Sequence, residues 1–241
     1  MVTVEGAGVE LAYEETGSGT PVVLVHDMGA DRTAWSRQLG SHPPARLIAY
    51  DRRGYGGSGA PEPYTATTVA EQAEDLAALL RAADVAGAVA VGQGFGALVV
   101  LDVLLRHAGA LSAAVLVDPP LFQLVPEALE PIAAERALLE EALREGGRER
   151  AVDAWLAAHG VADPLRLEAA RRDAGGFFAD YGGQATLELA RRDLRALDVP
   201  LVVVTSPGAA AHVRAAADAV LALVPGARAA GDAGTALADL A

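Results

Sequence analysis

The sequence predicts an α/β protein in which a mostly parallel, doubly wound sheet carries an inserted helical segment, and three observations predict it. Short apolar runs alternate with helical patterns along most of the chain, as expected when parallel strands are joined by crossover helices. The stretch 87–100, Gly-Ala-Val-Ala-Val-Gly-Gln-Gly-Phe-Gly-Ala-Leu-Val-Val, breaks at three alternating glycines and resumes as an apolar helix pattern. It reads as strand, sharp turn and helix. From Leu121 to Ala190 the strands stop and only helical spacing remains.

Residues 2–5 and 9–15 alternate as a strand pair and end in Thr16-Gly17-Ser18-Gly19-Thr20. Pro21-Val22-Val23-Leu24-Val25 is continuously apolar, the pattern of a strand buried on both faces, and runs into His26-Asp27-Met28-Gly29. A helix is expected over 32–39, then a second buried strand, Leu47-Ile48-Ala49-Tyr50, ending in Asp51-Arg52-Arg53-Gly54-Tyr55-Gly56-Gly57-Ser58. Residues 68–83 place Val69, Leu76, Leu79 and Leu80 on one side of a helix. After the glycine-punctuated turn come a strand over 113–117 and Asp118-Pro119-Pro120. Helical spacing then covers 132–145 and 149–158, and Asp163-Pro164 is a good N-cap with proline at the first helical position. The sheet resumes at 200–205, a helix follows over 210–223, a short strand at 227–230, and only a stub is expected of a closing helix.

The length of 241 residues suits one α/β domain with an insertion. Core segments 1–120 and 191–241 flank a helical insertion at 121–190. A hydrophobic share of 52% supports a large core. The net charge of −13 argues against nucleic acid or an anionic membrane as partner, because both reward clustered Lys and Arg. With no cysteine, disulfides, thiolate zinc sites and a cysteine nucleophile are excluded. The spacing of the histidines and carboxylates predicts no metal site. No signal pattern or apolar run of about 18 residues is found, so a cytoplasmic location is the expectation.

The motifs and their order resemble the α/β-hydrolase superfamily. Gly92-Gln93-Gly94-Phe95-Gly96 is similar to its nucleophile elbow, Gly-x-Ser-x-Gly. His26-Asp27-Met28-Gly29 is similar to its oxyanion loop, 51–58 to its Asp-Arg-x-Gly-x-Gly-x-Ser signature, and 121–190 to its helical lid. The resemblance implies a serine at 94, an acid at 208 and a histidine at 235, where this chain has Gly94, Gly208 and Thr235. Losing the serine or histidine of such a triad costs on the order of a million-fold in turnover. Serine-ester hydrolysis is therefore not expected. Nor is an aspartate-type epoxide or halide site, which also needs a side chain at 94.

Backbone donors survive the loss of side chains, so the amides of Met28 and Phe95 are expected to converge as an oxyanion hole. Asp27 beside them is a candidate general acid or base, or a loop cap that points to water. Asp118 is a candidate proton carrier, or a cap on Pro119-Pro120. Gln93 is a candidate pocket residue, or packs beneath the elbow. Phe122, Trp155, His159, Phe177, Phe178 and Tyr181 are the expected pocket wall, above a floor at Gly94. His26 is expected to serve the scaffold, His107 a helix C-terminus and His212 a solvated face, with His42 exposed in a loop. The leading expectation is a cofactor-independent, non-hydrolytic cyclase, lyase or isomerase acting on an apolar, polyketide-like carbonyl compound. The alternatives are a catalytically silent ligand-binding or partner-binding protein, and weak hydrolysis by a water activated at Asp27.

Overall fold

A computed structural model describes residues 2–35 and 45–240. Eight strands form one sheet: β1 (Val2–Glu5), β2 (Glu10–Thr16), β3 (Thr20–Val25), β4 (Ala45–Tyr50), β5 (Ala88–Gln93), β6 (Leu111–Val117), β7 (Leu201–Val204) and β8 (Arg228–Ala230). Their spatial order is β1-β2-β4-β3-β5-β6-β7-β8. β1 and β2 are antiparallel to their neighbours, whereas β4, β3, β5, β6, β7 and β8 pair in parallel. The apolar runs lie where a two-faced sheet needs them: Val22, Val23, Val25, Ala88, Ala90 and Val91 are wholly buried.

Helices α1 (Val69–Ala82), α2 (Phe95–Arg106) and α7 (Ala211–Leu223) follow β4, β5 and β7, and α8 (Ala233–Ala238) follows β8. The start of α1 is fixed by a reciprocal cap. The Thr68 hydroxyl accepts from the Glu71 amide at 3.0 Å, and the Glu71 carboxylate accepts from the Thr68 amide at 2.9 Å. Its apolar stripe, Val69, Leu76, Leu79 and Leu80, is buried as the spacing predicts. The helix expected over 32–39 is a single 3-10 turn at Arg32–Trp35; its remainder, like His42, lies outside the described residues.

Between β6 and α6 (Arg191–Arg195) the chain forms α3 (Leu129–Ala158), α4 (Pro164–Arg172) and α5 (Ala174–Gly183). The spacing predicted two helices broken near 146–148, and the backbone leaves helical geometry at Gly146 and at Gly147, φ +76°. The break doubles the segment back on itself. Glu135 and His159 are 24 positions apart, about 36 Å along a straight helix, yet His159 Nε2 lies 3.1 Å from a Glu135 carboxylate oxygen. Asp163 caps α4, accepting from the Leu165 amide at 3.0 Å, with Pro164 in the first turn.

The strand register sets the site. Val25 pairs with Gly92, Gln93 with Val117, Val117 with Val204 and Val204 with Ala230, so these strands end level with one another. The residues that follow them, Asp27, Gly94, Asp118 and Ser206, share the carboxyl edge of the sheet, where ligands bind in open α/β folds.

Candidate active site

The turn after β5 is built by close approach. A Cβ on Gly92 would lie 2.5 Å from the Gly96 carbonyl oxygen, and one on Gly96 would lie 2.3 Å from that of Val25. Both glycines let the first turn of α2 sit directly on the strands. Gly94 adopts φ +52°, ψ −120°, a left-handed conformation that glycine enters at little cost.

What fills the space above Gly94 departs from the expectation of an open floor. A Cβ at 94 would lie 1.9 Å from Asp27 Oδ1. The same oxygen accepts the Met28 amide at 2.7 Å and the Phe95 amide at 3.0 Å. The two amides therefore converge as expected, but the carboxylate of Asp27 occupies the hole they form. This corrects two readings: the two amides are not free for an external oxyanion, and Asp27 is not a loop cap pointing to water. Removing the Cβ at 94 is what makes room for the carboxylate reaching across from the β3 loop.

The second oxygen, Oδ2, receives Arg166 Nη2 at 3.3 Å. Arg166 comes from the first turn of α4 and also reaches the carbonyls of Met28 at 3.3 Å and Gly29 at 3.4 Å. The side chains of Asp27 and Arg166 remain 15% and 21% exposed. Nothing in the sequence singled out Arg166, because 139 positions separate it from Asp27.

Asp118 does not share this site chemically. It sits at φ +47°, and its two carboxylate oxygens take the amide of Ser206, at 2.8 Å, and the Ser206 hydroxyl. This ties the ends of β6 and β7 together and gives Asp118 a structural partner in Ser206. Gly208 is exposed with open space around it. Thr235 lies in the first turn of α8, where its hydroxyl donates to Asp232 at 2.8 Å and its amide to the same carboxylate at 2.9 Å. Gln93 ends β5 and is half-buried.

The histidines separate by environment. His26 is buried between the carbonyl of Asp27, 2.8 Å from Nδ1, and the Arg52 amide, which donates to Nε2 at 2.9 Å. Burial first, then the Arg52 guanidinium, hold its pKa well below the ordinary value of 6.5, so it stays neutral and serves the scaffold. His107 caps the C-terminus of α2 and faces Glu74 at 3.2 Å. His159 is raised: burial opposes its charge, but the Glu135 carboxylate and the Trp155 carbonyl outweigh that. His212 is not on a solvated face. It is half-buried, edge-on to Phe122 at 5.1 Å, with its pKa lowered by burial.

Most of the aromatic residues singled out in the sequence pack against one another. His159 stacks on Trp155 at 3.8 Å, Trp155 meets Phe177 edge-on at 5.2 Å, and Phe177 contacts Phe178 at 5.4 Å and Tyr181 at 6.4 Å. Phe122 joins the other side through His212. The cluster packs against the loop after β3: the position a Gly29 Cβ would take is 3.7 Å from Phe177 and 3.6 Å from Leu156. Glu135, facing both His159 and Tyr181, was missed by the sequence reading, as one of many acidic residues in a helical stretch. Among the described residues no group of three His, Asp or Glu side chains is placed to hold a metal ion, and no helix is long and apolar enough to cross a membrane.

The parallel sheet, the left-handed turn between β5 and α2, and the two amides converging beside it define an α/β-hydrolase fold. Residues 22–238 match the alpha/beta hydrolase family, and the chain belongs to it. Among its relatives, Epoxide hydrolase A of Mycobacterium tuberculosis is 36% identical over 121 residues, which cover 48% of this chain and 38% of that protein. The putative non-heme bromoperoxidase BpoC of the same species is 34% identical over 111 residues, 45% of this chain and 41% of the relative. The matches thus span less than half of either relative. Among solved structures, an alpha/beta hydrolase from Sphaerobacter thermophilus superposes with a TM-score of 0.74 at 24% identity, covering 99% of this chain and 98% of the other. The enol-lactonase from Burkholderia xenovorans gives a TM-score of 0.74 at 21% identity, covering 96% and 91%. At these identities the likeness concerns the fold.

Proposed function

We propose that the chain is a cofactor-independent, non-hydrolytic enzyme, a cyclase, lyase or isomerase, that moves a proton on an apolar carbonyl compound through Asp27. The observation that carries this reading is the placement of the carboxylate. Two backbone amides fix Oδ1 in the space that a side chain at 94 would need, and Oδ2 is left with one long contact, to Arg166 at 3.3 Å. A base held by fixed donors pays little reorganisation when it meets substrate. Gly94 offers no nucleophile, and the Thr235 hydroxyl, engaged by Asp232, is no base near neutral pH. A carbonyl compound can then rearrange without being trapped as an acyl-enzyme. Residues 121–190 act in this view as a lid, with Phe122, Trp155, His159, Phe177, Phe178 and Tyr181 shaping an apolar substrate. The acidic surface disfavours nucleic acid and anionic membranes as partners.

The relatives' names, epoxide hydrolase and haloperoxidase among them, support a hydrolase-type reading in which Asp27 activates water. The filled amide hole favours a second reading, a silent ligand-binding protein, because a hole occupied from within needs no external anion. Replacing Asp27 by Asn separates the three. The purified protein is incubated with a small-molecule extract of its source cells, and bound and free species are followed by native mass spectrometry. Conversion to a product of equal mass, or of mass lowered by loss of water or carbon dioxide, lost in Asp27→Asn while binding persists, is the expected result. A gain of water would assign hydrolysis, and a bound compound that never changes would assign the binding protein.

A further inference from the structure

Because Asp27 itself consumes the amide donors that would otherwise stabilise an oxyanion, the site needs another donor for the charge that develops when a proton leaves a carbon next to a carbonyl. We propose that Arg166 is that donor and that the substrate class is an enolisable ketone or 1,3-dicarbonyl compound; this rests on the reading of Asp27 as the base. In the step, Asp27 Oδ2 takes the proton from the α-carbon. The C–H electron pair becomes the carbon–carbon double bond of the enolate, and the carbonyl π pair moves onto oxygen, which accepts an N–H of Arg166. Return of the proton from Asp27 to the same or a conjugated carbon closes the cycle, with no oxidant, reductant or water consumed.

The geometry of Arg166 fits this task better than a structural one. Charge-assisted bonds normally run about 2.7–2.9 Å. Arg166 instead touches three oxygens at 3.3, 3.3 and 3.4 Å, belonging to Asp27, Met28 and Gly29. Its neighbours on the same helix are held tightly: Arg171 grips Asp153 at 2.7 and 3.0 Å, and Arg172 grips Asp173 at 3.0 and 2.7 Å. Arg166 is thus the arginine of α4 whose contacts a substrate oxygen can improve upon. The electrostatics run the same way. Protonation of Asp27 removes the negative charge facing Arg166 as the enolate oxygen acquires one, so the guanidinium keeps an anionic partner throughout.

The experiment uses 4-nitrophenol, an oxyanion on an apolar ring whose ionised form is coloured, with the full chain carrying Asp27→Asn to imitate the protonated base. The expected result is binding as the coloured anion, weakened at least about ten-fold when Arg166→Gln is added, as for loss of a hydrogen bond to a charged group. Arg166→Lys, which keeps the charge but not the fork, is expected to fall between them. Equal affinity and equal ionisation with and without Arg166 would overturn the proposal. In a second arm, loss of deuterium from the α-carbon of deuterated 2-tetralone is followed by NMR with Asp27 intact. Arg166→Gln is expected to slow it about 100-fold, as for removal of one oxyanion donor. Exchange that needs Asp27 and ignores Arg166 would overturn the assignment of Arg166 alone. Exchange unaffected by Asp27→Asn would overturn the reading of Asp27 itself.

Discussion

Two of the arginine–carboxylate pairs that join the sheet to the helical insertion are built in opposite ways. Arg52, from the loop after β4, meets Asp180 of α5 at 2.6 Å with both side chains fully buried. Every arm of that pair is occupied: Arg52 also donates to the His26 carbonyl at 2.9 Å and to Gln72 at 2.6 Å, while Asp180 accepts Tyr55 at 2.7 Å and Gln72 at 2.6 Å. The guanidinium lies over the rings of Tyr55 and Phe95 at 4.9 and 4.8 Å. Arg166 and Asp27 are partly exposed, 3.3 Å apart, and share their remaining bonds with backbone. A pair whose groups are all satisfied holds the insertion in place. A pair with slack can exchange partners, and that is where chemistry is possible.

The difference makes separable predictions. Asp180→Ala leaves the Arg52 charge buried without its partner and is expected to cost about 3–5 kcal/mol of stability, read from the urea midpoint. Asp27→Asn is expected to lower turnover of the natural substrate by about 10²–10⁴-fold, the range for a positioned general base, with ligand binding retained. A loss of stability comparable to that of Asp180→Ala would make Asp27 a second pin and dissolve the contrast.

Protonation acts on the buried network as well. His26 is neutral in the fold, with a pKa depressed by burial, whereas the unfolded imidazole takes a proton near 6.5. Stability is therefore present above that value and lost as the pH falls below it, by up to about 1.4 kcal/mol per pH unit for one proton. His159 has the opposite sign, because its raised pKa adds stability below 6.5 that is lost as the pH rises through the folded value. Urea denaturation at pH 7 and pH 5.5 is expected to show a less favourable change in stability on acidification for His159→Gln than for the natural chain, because that variant loses the term that grows at low pH. The smallest effect belongs to Arg166→Gln, expected to change stability by about 1 kcal/mol or less, because its contacts to Asp27, Met28 and Gly29 are long.

The fold was legible because it rests on periodicity. The continuous apolar run at 21–25, the stripe of Val69, Leu76, Leu79 and Leu80, the glycines at 92, 94 and 96 and the Asp163-Pro164 cap each have a local cause. The convergence of the Met28 and Phe95 amides was legible too, since it follows from backbone alone. What fills the hole was not, because it depends on a side chain from β3 entering the space vacated by a missing Cβ on β5. The departure at Gly94 was visible, but its consequence for residue 27 is a tertiary fact. Arg166, Glu135 and the inward turn of His212 were hidden for a related reason: each is one charged residue among many in a helical stretch, and packing alone selects it. Asp118 looked functional by its position at a strand end, and Ser206 across the neighbouring strand explains it instead.

The central claim is that the Asp27 carboxylate occupies the volume of a side chain at position 94, and a double-mutant cycle tests it most directly. Unfolding free energies are compared for the natural chain, Gly94→Ala, Asp27→Gly and the combination. Gly94→Ala carries a backbone cost at φ +52°, ψ −120° of about 1–3 kcal/mol in any context, and the contact with Asp27 at 1.9 Å adds to it only when the carboxylate is present. The account predicts that Gly94→Ala is better tolerated once Asp27 is Gly, with a coupling above about 1 kcal/mol, within the range for residues in contact. Additive effects would mean that the carboxylate lies elsewhere, and would contradict the account.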